Sequence, residues 1–242
     1  MLKFFAVLLL AFTGFAQAAL PLQTDLPLSY VAQINSDAQD RPLVIFMHGY
    51  GSNELDLFGI NYALSRDYNY LSVRAPVSLG EDRYQWFTKN PQSADYDGVT
   101  VDLKRSGESL NQFIQQATQK YHTQASKVFL VGFSQGAMMT YEVALRHPQQ
   151  VGGIAALSGK VLPVLKSELK ADPALKNLQV FIGHGNADSR VPYSGATQAD
   201  SYLKTLGVKP ELHSYAGVGH TISQEEVGDL KVWLARVTKL TE

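Results

Sequence analysis

The sequence predicts an α/β fold, a mainly parallel, twisted sheet with helices on both faces, in one domain. Three observations carry this reading. Short β-rich apolar runs alternate with segments of helical spacing along the whole chain, the pattern of repeated strand–helix–strand units. Some runs, such as Leu43-Val44-Ile45-Phe46-Met47, are apolar at every position, as a strand covered on both faces must be. Residues 127–146 read as strand, sharp turn and helix, with Gly132-Phe133-Ser134-Gln135-Gly136 as the turn. A serine held on such a strained turn needs neighbours without Cβ atoms, and the two glycines supply them.

Taken in order, residues 26–32 alternate weakly and suit an edge strand, and 35–41 form a polar turn. The strand at 43–47 ends in a glycine-rich loop, His48-Gly49-Tyr50-Gly51-Ser52-Asn53. Helix-like spacing over 55–64 precedes a strand over 70–74, stopped by Ala75-Pro76. Residues 77–97 lack periodicity and carry Trp86-Phe87 among polar neighbours, so they read as a long loop of the functional kind. Leu103, Leu110, Phe113, Ile114 and Ala117 mark one face of a helix over 101–121. After the serine helix come a buried strand over 153–157 and Ser158-Gly159. Two prolines and mixed charge make 161–178 a connector, expected to lie over the site. A strand at 180–183, a helix at 196–206, a strand at 211–215 and an amphipathic helix at 225–237 complete the chain. No internal repeat, low-complexity tract or linker divides it.

The composition excludes several function classes. The 242 residues carry a formal net charge of −1, which gives no electrostatic basis for binding nucleic acid or an anionic membrane. With no cysteine, disulfides, thiolate metal sites and a cysteine nucleophile are out. The N-terminus pairs a basic start, Met1-Leu2-Lys3, with an apolar run over 4–15 and then Ala16-Gln17-Ala18. That pattern predicts a signal peptide over 1–18, cleaved between Ala18 and Ala19, ahead of a single domain over 19–242. The run is shorter than the ~18–20 apolar residues of a spanning helix, so no transmembrane anchor is expected. The mature chain is expected to be periplasmic or secreted.

Chemistry gathers around Ser134. A serine hydroxyl needs a base to take its proton, and the base needs a third group to fix its tautomer. In this architecture the partners follow the serine in the order acid, then histidine. Asp188 lies in the loop after the strand at 180–183, and His220 lies after the last strand, so Ser134, Asp188 and His220 form the expected triad. Acyl transfer also needs donors aimed at a developing oxyanion. The backbone N–H groups of Tyr50 and Gln135 are the expected pair, leaving their side chains free to shape the pocket. Trp86 and Phe87, with the 161–178 connector, are candidate pocket walls. His48 is expected to hydrogen-bond within its own loop, and His184 to stand behind Asp188. The histidines at 48, 122, 147, 184 and 213 show no paired ligand spacing, so neither a metal nor another cofactor is expected.

These residues together resemble the phospholipase/carboxylesterase branch of the α/β-hydrolases, which includes the acyl-protein thioesterases. The shared features are H-G-x-G at 48–51, Ala75-Pro76 with Trp86-Phe87, Asp97-Gly98-Val99 and G-F-S-Q-G at 132–136. They continue with Leu157-Ser158-Gly159, H-G-x-x-D-x-x-V-P at 184–192, and Gly219-His220. Ala137 departs from the pattern, standing where the family often has a further glycine. The resemblance implies a cofactor-free serine esterase acting on a small-molecule or lipid ester or thioester with an apolar acyl group, through an acyl-enzyme. Relatives acting on lipidated proteins work in the cytoplasm, so the signal peptide points to other substrates. Two alternatives stay open: a feruloyl or acetyl esterase on polysaccharide or polyester, and a catalytically silent binding protein of the same fold. Acyl chain length, alcohol and oligomeric state are left undetermined.

Overall fold

The computed structural model describes residues 20–92, 97–170 and 172–239; the expected signal peptide lies outside the described residues. The first part of the chain forms β1 (Tyr30–Gln33), β2 (Leu43–Met47), β3 (Asn69–Val73), β4 (Val77–Gly80), β5 (Arg83–Gln85) and α1 (Thr100–Lys120). The middle forms β6 (Val128–Phe133), α2 (Gln135–Arg146), β7 (Gly153–Leu157) and α3 (Pro163–Glu168). The last part forms β8 (Gln179–Gly185), α4 (Ser194–Thr205), β9 (Glu211–Tyr215) and α5 (Gln224–Thr238). Seven strands make one sheet in the order β1-β3-β2-β6-β7-β8-β9. All neighbours run parallel except the edge strand β1, which pairs antiparallel with β3.

Alternation along each strand sets the layers. In β2, Leu43, Ile45 and Met47 join one cluster of buried side chains, while Val44 and Phe46 join the other. The first cluster takes the inner faces of α1, α2, α3 and α4, through residues such as Leu110, Met138, Leu165 and Leu203. The second is closed by α5, through Leu230, Trp233 and Leu234, and by a short 3₁₀ helix at Phe58–Ala63. The indole of Trp233 meets the rings of Phe129 and Phe181, which alternate onto this face from β6 and β8. Register then aligns the strand ends: Met47 pairs with Gly132, Phe133 with Leu157, and Leu157 with Gly183. The loops that leave these strands therefore start level with one another on one edge of the sheet.

Three expectations need correction. The helix expected over 55–64 is only the 3₁₀ helix Phe58–Ala63, because the stretch is too short for a stable multi-turn α-helix and contains Gly59. The stretch expected to be a long loop over 77–97 contains the hairpin β4–β5, with a positive-φ turn at Gly80-Glu81-Asp82. The 161–178 connector does not cover the site. Its Leu165, Leu175 and Leu178 are buried in the core, and Glu168 bonds Arg146 at the far end of α2 from Ser134.

Helix α5 begins with a reciprocal cap. Ser223 Oγ accepts the Glu226 N–H (3.1 Å), and Glu226 Oε2 accepts the Ser223 N–H (3.4 Å). The Glu226 carboxyl is fully buried against Gly183, and its Oε1 has no hydrogen-bond partner in the structure. Burial pushes it from 4.5 up to about 7, with the Asp229 charge adding to the rise and the Ser223 N–H opposing it. Because the folded-state value is raised, folding is unopposed by this group below about pH 4.5. The cost grows as pH rises to about 7 and then levels off, at on the order of 3 kcal/mol. Glu226→Gln keeps the cap and removes the titration. Thermal unfolding should show the variant more stable than the parent at pH 8 and converging with it towards pH 4.5; a difference independent of pH would refute this account.

Candidate active site

The turn between β6 and α2 determines everything at the site. Ser134 has φ 54° and ψ −115°, a strained conformation for a residue with a side chain. Close packing on both sides holds it there. A Cβ on Gly136 would collide with the carbonyls of Met47 and His48, and one on Gly132 would collide with the Gly136 carbonyl. The Ser134 N–H continues the parallel pairing by donating to Leu157 O (2.9 Å). Its hydroxyl thus stands at the carboxyl edge of the sheet, on the N-terminal end of α2, where the helix dipole is positive.

The two other expected members reach it from neighbouring strand ends. His220 Nε2 lies 2.9 Å from Ser134 Oγ, and its Nδ1 lies 2.6 Å from Asp188 Oδ2. Asp188 Oδ1 accepts the N–H groups of Arg190 (2.8 Å) and Val191 (2.9 Å). Burial alone would raise the Asp188 carboxyl. The bonds from His220, Val191 and Arg190 outweigh it and hold the group below the usual carboxylate range. Asp188 therefore stays charged and fixes His220 with Nδ1 protonated, so that Nε2 is free to accept the serine proton. Phe133 packs its ring against His220 at 4.9 Å between centroids.

His184 sits behind Asp188, as expected, with Nε2 3.4 Å from Oδ2, but its hydrogen bond goes to Val191 O at 2.8 Å. Burial keeps it neutral. His48 is also buried and pushed down by desolvation. Its Nδ1–H donates to Gly49 O (2.7 Å) and its Nε2 accepts the Ala75 N–H (3.1 Å), so it ties its loop to the end of β3. Among the described residues, no three histidines or carboxylates are grouped to hold a metal ion, and no helix is long and apolar enough to cross a membrane.

Tyr50 of the 48–52 loop lines the same cleft as Ser134, and Gln135 follows the serine as the first residue of α2. Gly51 and Ser52 give theirs to Tyr84 O and Gly49 O. Among the described residues no hydrogen bond takes up the N–H of Tyr50 or of Gln135. Only one of their side chains behaves as expected. Tyr50 is half-exposed beside the cleft, whereas Gln135 is fully buried and shapes no pocket. Its Oε1 accepts the Trp86 N–H (2.8 Å) and its Nε2 donates to Phe87 O (2.7 Å).

Trp86 and Phe87, expected as pocket walls, are likewise buried beneath the site. The Trp86 indole N–H donates to His48 O (2.8 Å), and Ser106 Oγ donates to Trp86 O (2.5 Å). An irregular segment can lie in the core only if its backbone groups are paired, and Gln135 does most of that pairing. Gln135→Ala removes both bonds and leaves the buried Trp86 N–H without its acceptor, at about 1–3 kcal/mol for each bond lost. Chemical denaturation should place the variant about 2–6 kcal/mol below the parent, and a loss under 1 kcal/mol would contradict the clamp.

The walls are other residues. Ser134 opens into a cleft of about 540 Å³ lined by Tyr50, Asp56, Lys89, Phe133, Arg190 and His220, among others. A second cavity of about 300 Å³ borders it, sharing Asp56, Phe133 and His220 and adding Leu57, Ile60, Ile222 and Val227. Tyr50, Phe133 and His220 belong to motifs read from the sequence, whereas Asp56, Leu57, Ile60, Ile222 and Val227 belong to none, and only the folded chain brings them together.

A parallel sheet with this strand order and a nucleophile-type turn after β6 defines the α/β-hydrolase fold. The phospholipase/carboxylesterase family model matches residues 29–238, and the chain belongs to that family. Acyl-protein thioesterase 1 of Debaryomyces hansenii is 32% identical over 154 residues, which are 62% of this chain and 64% of that protein. Lysophospholipase-like protein 1 of Mus musculus is 26% identical over 232 residues, 90% of this chain and 94% of its own. The crystal structure of esterase PE8 superposes with a TM-score of 0.75 at 27% identity, covering 87% of this chain and 99% of that one. The chain is a hydrolase of the carboxylesterase/thioesterase kind.

Proposed function

We propose that the chain is a serine esterase that hydrolyses carboxylic esters through an acyl-enzyme. The observation that carries this is the hydrogen-bonded series Ser134–His220–Asp188 beside two unspent N–H groups. His220 Nε2 takes the Ser134 proton as Oγ attacks the ester carbonyl carbon, and Asp188 stabilises the imidazolium that results. The carbonyl oxygen gains negative charge and accepts from the N–H groups of Tyr50 and Gln135. The tetrahedral adduct then collapses, the C–O bond to the alcohol breaks, and His220 gives its proton to the departing oxygen. Water, deprotonated by His220 in its turn, releases the acid and restores Ser134.

The cavity lined by Leu57, Ile60, Phe133, Ile222 and Val227 suits an apolar group on the ester. Trp86 and Phe87 are buried and offer no aromatic wall to a feruloyl group, so the polysaccharide-ester alternative keeps only the export pattern in its favour. We also propose export, which rests on the N-terminal basic–apolar–small pattern; N-terminal sequencing of the protein recovered outside the cytoplasm should begin at Ala19.

Ser134→Ala removes the nucleophile without touching the strained turn's packing. Turnover of a p-nitrophenyl ester should fall at least ~10³-fold with an unchanged unfolding midpoint. A fluorophosphonate probe should label the parent at Ser134 and leave the variant unlabelled. An unlabelled parent would favour a binding protein over an enzyme.

A further inference from the structure

The site is electrically lopsided. On one side, the smaller cavity carries the apolar Leu57, Ile60, Ile222 and Val227, and the exposed carboxylate of Asp56 stands where it meets the cleft. On the other, the cleft at Ser134 carries two exposed cationic side chains, Lys89 and Arg190. Arg190 stands out for two reasons. Its backbone N–H is bound to Asp188 Oδ1, so its Cα is fixed two residues from the acid that orients His220. Its guanidinium makes no ion pair with a carboxylate among the described residues, although most other arginines in the chain do; Arg41, Arg74, Arg105, Arg146 and Arg236 are all paired. A guanidinium on a fixed backbone at the mouth of a cleft is a ready-made donor site for a carboxylate or a phosphate, because its N–H groups form a planar fork. The same position serves the core in no way, since the side chain is exposed.

We propose that Arg190, with Lys89, selects esters that carry an anionic group, a carboxylate or a phosphate, within a few bonds of the scissile carbonyl. The inference rests on the esterase reading above and narrows its substrate class. Asp56 lines both the cleft and the smaller cavity and repels an anion from the border between them, so the anionic end is directed to Arg190 and Lys89 and the apolar end to the smaller cavity.

The test measures kcat/KM for matched anionic and neutral esters, in two arms. In the acyl arm, the mono-4-nitrophenyl ester of glutaric acid is compared with its methyl-capped diester. In the alcohol arm, butyryl glycerol phosphate is compared with butyryl glycerol. Wild type should prefer the anionic member in at least one arm, and the arm that responds identifies the side on which the anion sits. In that arm Arg190→Gln should lower the anionic-to-neutral ratio about tenfold, Arg190→Lys should keep the part due to charge and lose the part due to the fork, and Lys89→Gln should lower it less than Arg190→Gln. About 0.5 M salt should weaken the wild-type preference, since the rim is exposed to solvent. A ratio at or below one in both arms, or a ratio that Arg190→Gln leaves intact, overturns the proposal. Failure of the underlying reading looks different: Ser134→Ala would then still turn over the neutral esters.

Discussion

The approach of α2 to the end of β2 is the constraint on which the site depends. The first turn of the helix lies so close to the carbonyls of Met47 and His48 that only glycine fits at 136. That contact brings three things within reach of one another: the strained Ser134, the N-terminal N–H of Gln135, and the 48–52 loop that leaves β2. Strain at a functional residue persists only where the surroundings over-determine it. Here the surroundings are two central strands and a helix whose residues 135–145 are all buried. Moving the serine to a relaxed φ would mean moving α2 off the sheet.

The loop beside it is fixed from its other side by the hairpin. Tyr84 in β5 accepts from Gly51 and donates its own N–H to Ser52 O. Two residues further on, Glu54 forms a bidentate pair with Arg74 (2.6 and 2.7 Å), and Arg74 also donates to the Tyr84 hydroxyl (3.0 Å). Glu54 is buried, which by itself would raise its carboxyl, but Arg74 holds it below the usual range. His48 then ties the loop's base to Ala75. A loop secured to β3, β5 and the core tryptophan can keep the Tyr50 N–H aimed without paying for its ordering when substrate arrives. The hairpin's role is thus architectural, although no part of it faces the chemistry directly.

The seven strands of the main sheet, the long helices and the order of the serine, aspartate and histidine were legible in the sequence because each leaves a local trace. Fully apolar runs mark central strands, and glycines bracket a turn that admits no Cβ. The edge strand and the closing helix followed from alternation and amphipathicity. What was not legible depends on direction. Trp86 and Phe87 look like exposed aromatics in a polar loop, and nothing local says that Gln135 reaches across to satisfy their backbone. The same side chain seemed free because its N–H had a plausible role of its own. Likewise, 161–178 reads as a surface connector, yet its leucines at 165, 175 and 178 fill the core beside α1 and α2. The apolar cavity escaped notice because Leu57, Ile222 and Val227 come from segments far apart in sequence that meet only in the folded chain.

Ala137 shows how a departure from a family pattern can be absorbed by a second position. A larger residue one step beyond Gly136 would be expected to crowd the turn. In the structure its methyl occupies the space over Gly159, where an added Cβ would lie 2.5 Å away. The volume gained at 137 is therefore the volume withheld at 159, and α2 keeps its seat against β7 without displacing Ser134. Gly159 belongs to the Leu157-Ser158-Gly159 stretch at the same sheet edge, whose Ser158 N–H pairs with Gly183 O (2.8 Å) and so cannot retreat. Because neither backbone can give way, the two positions are coupled. Each tolerates a methyl only if the other lacks one, and the sequence satisfies that condition.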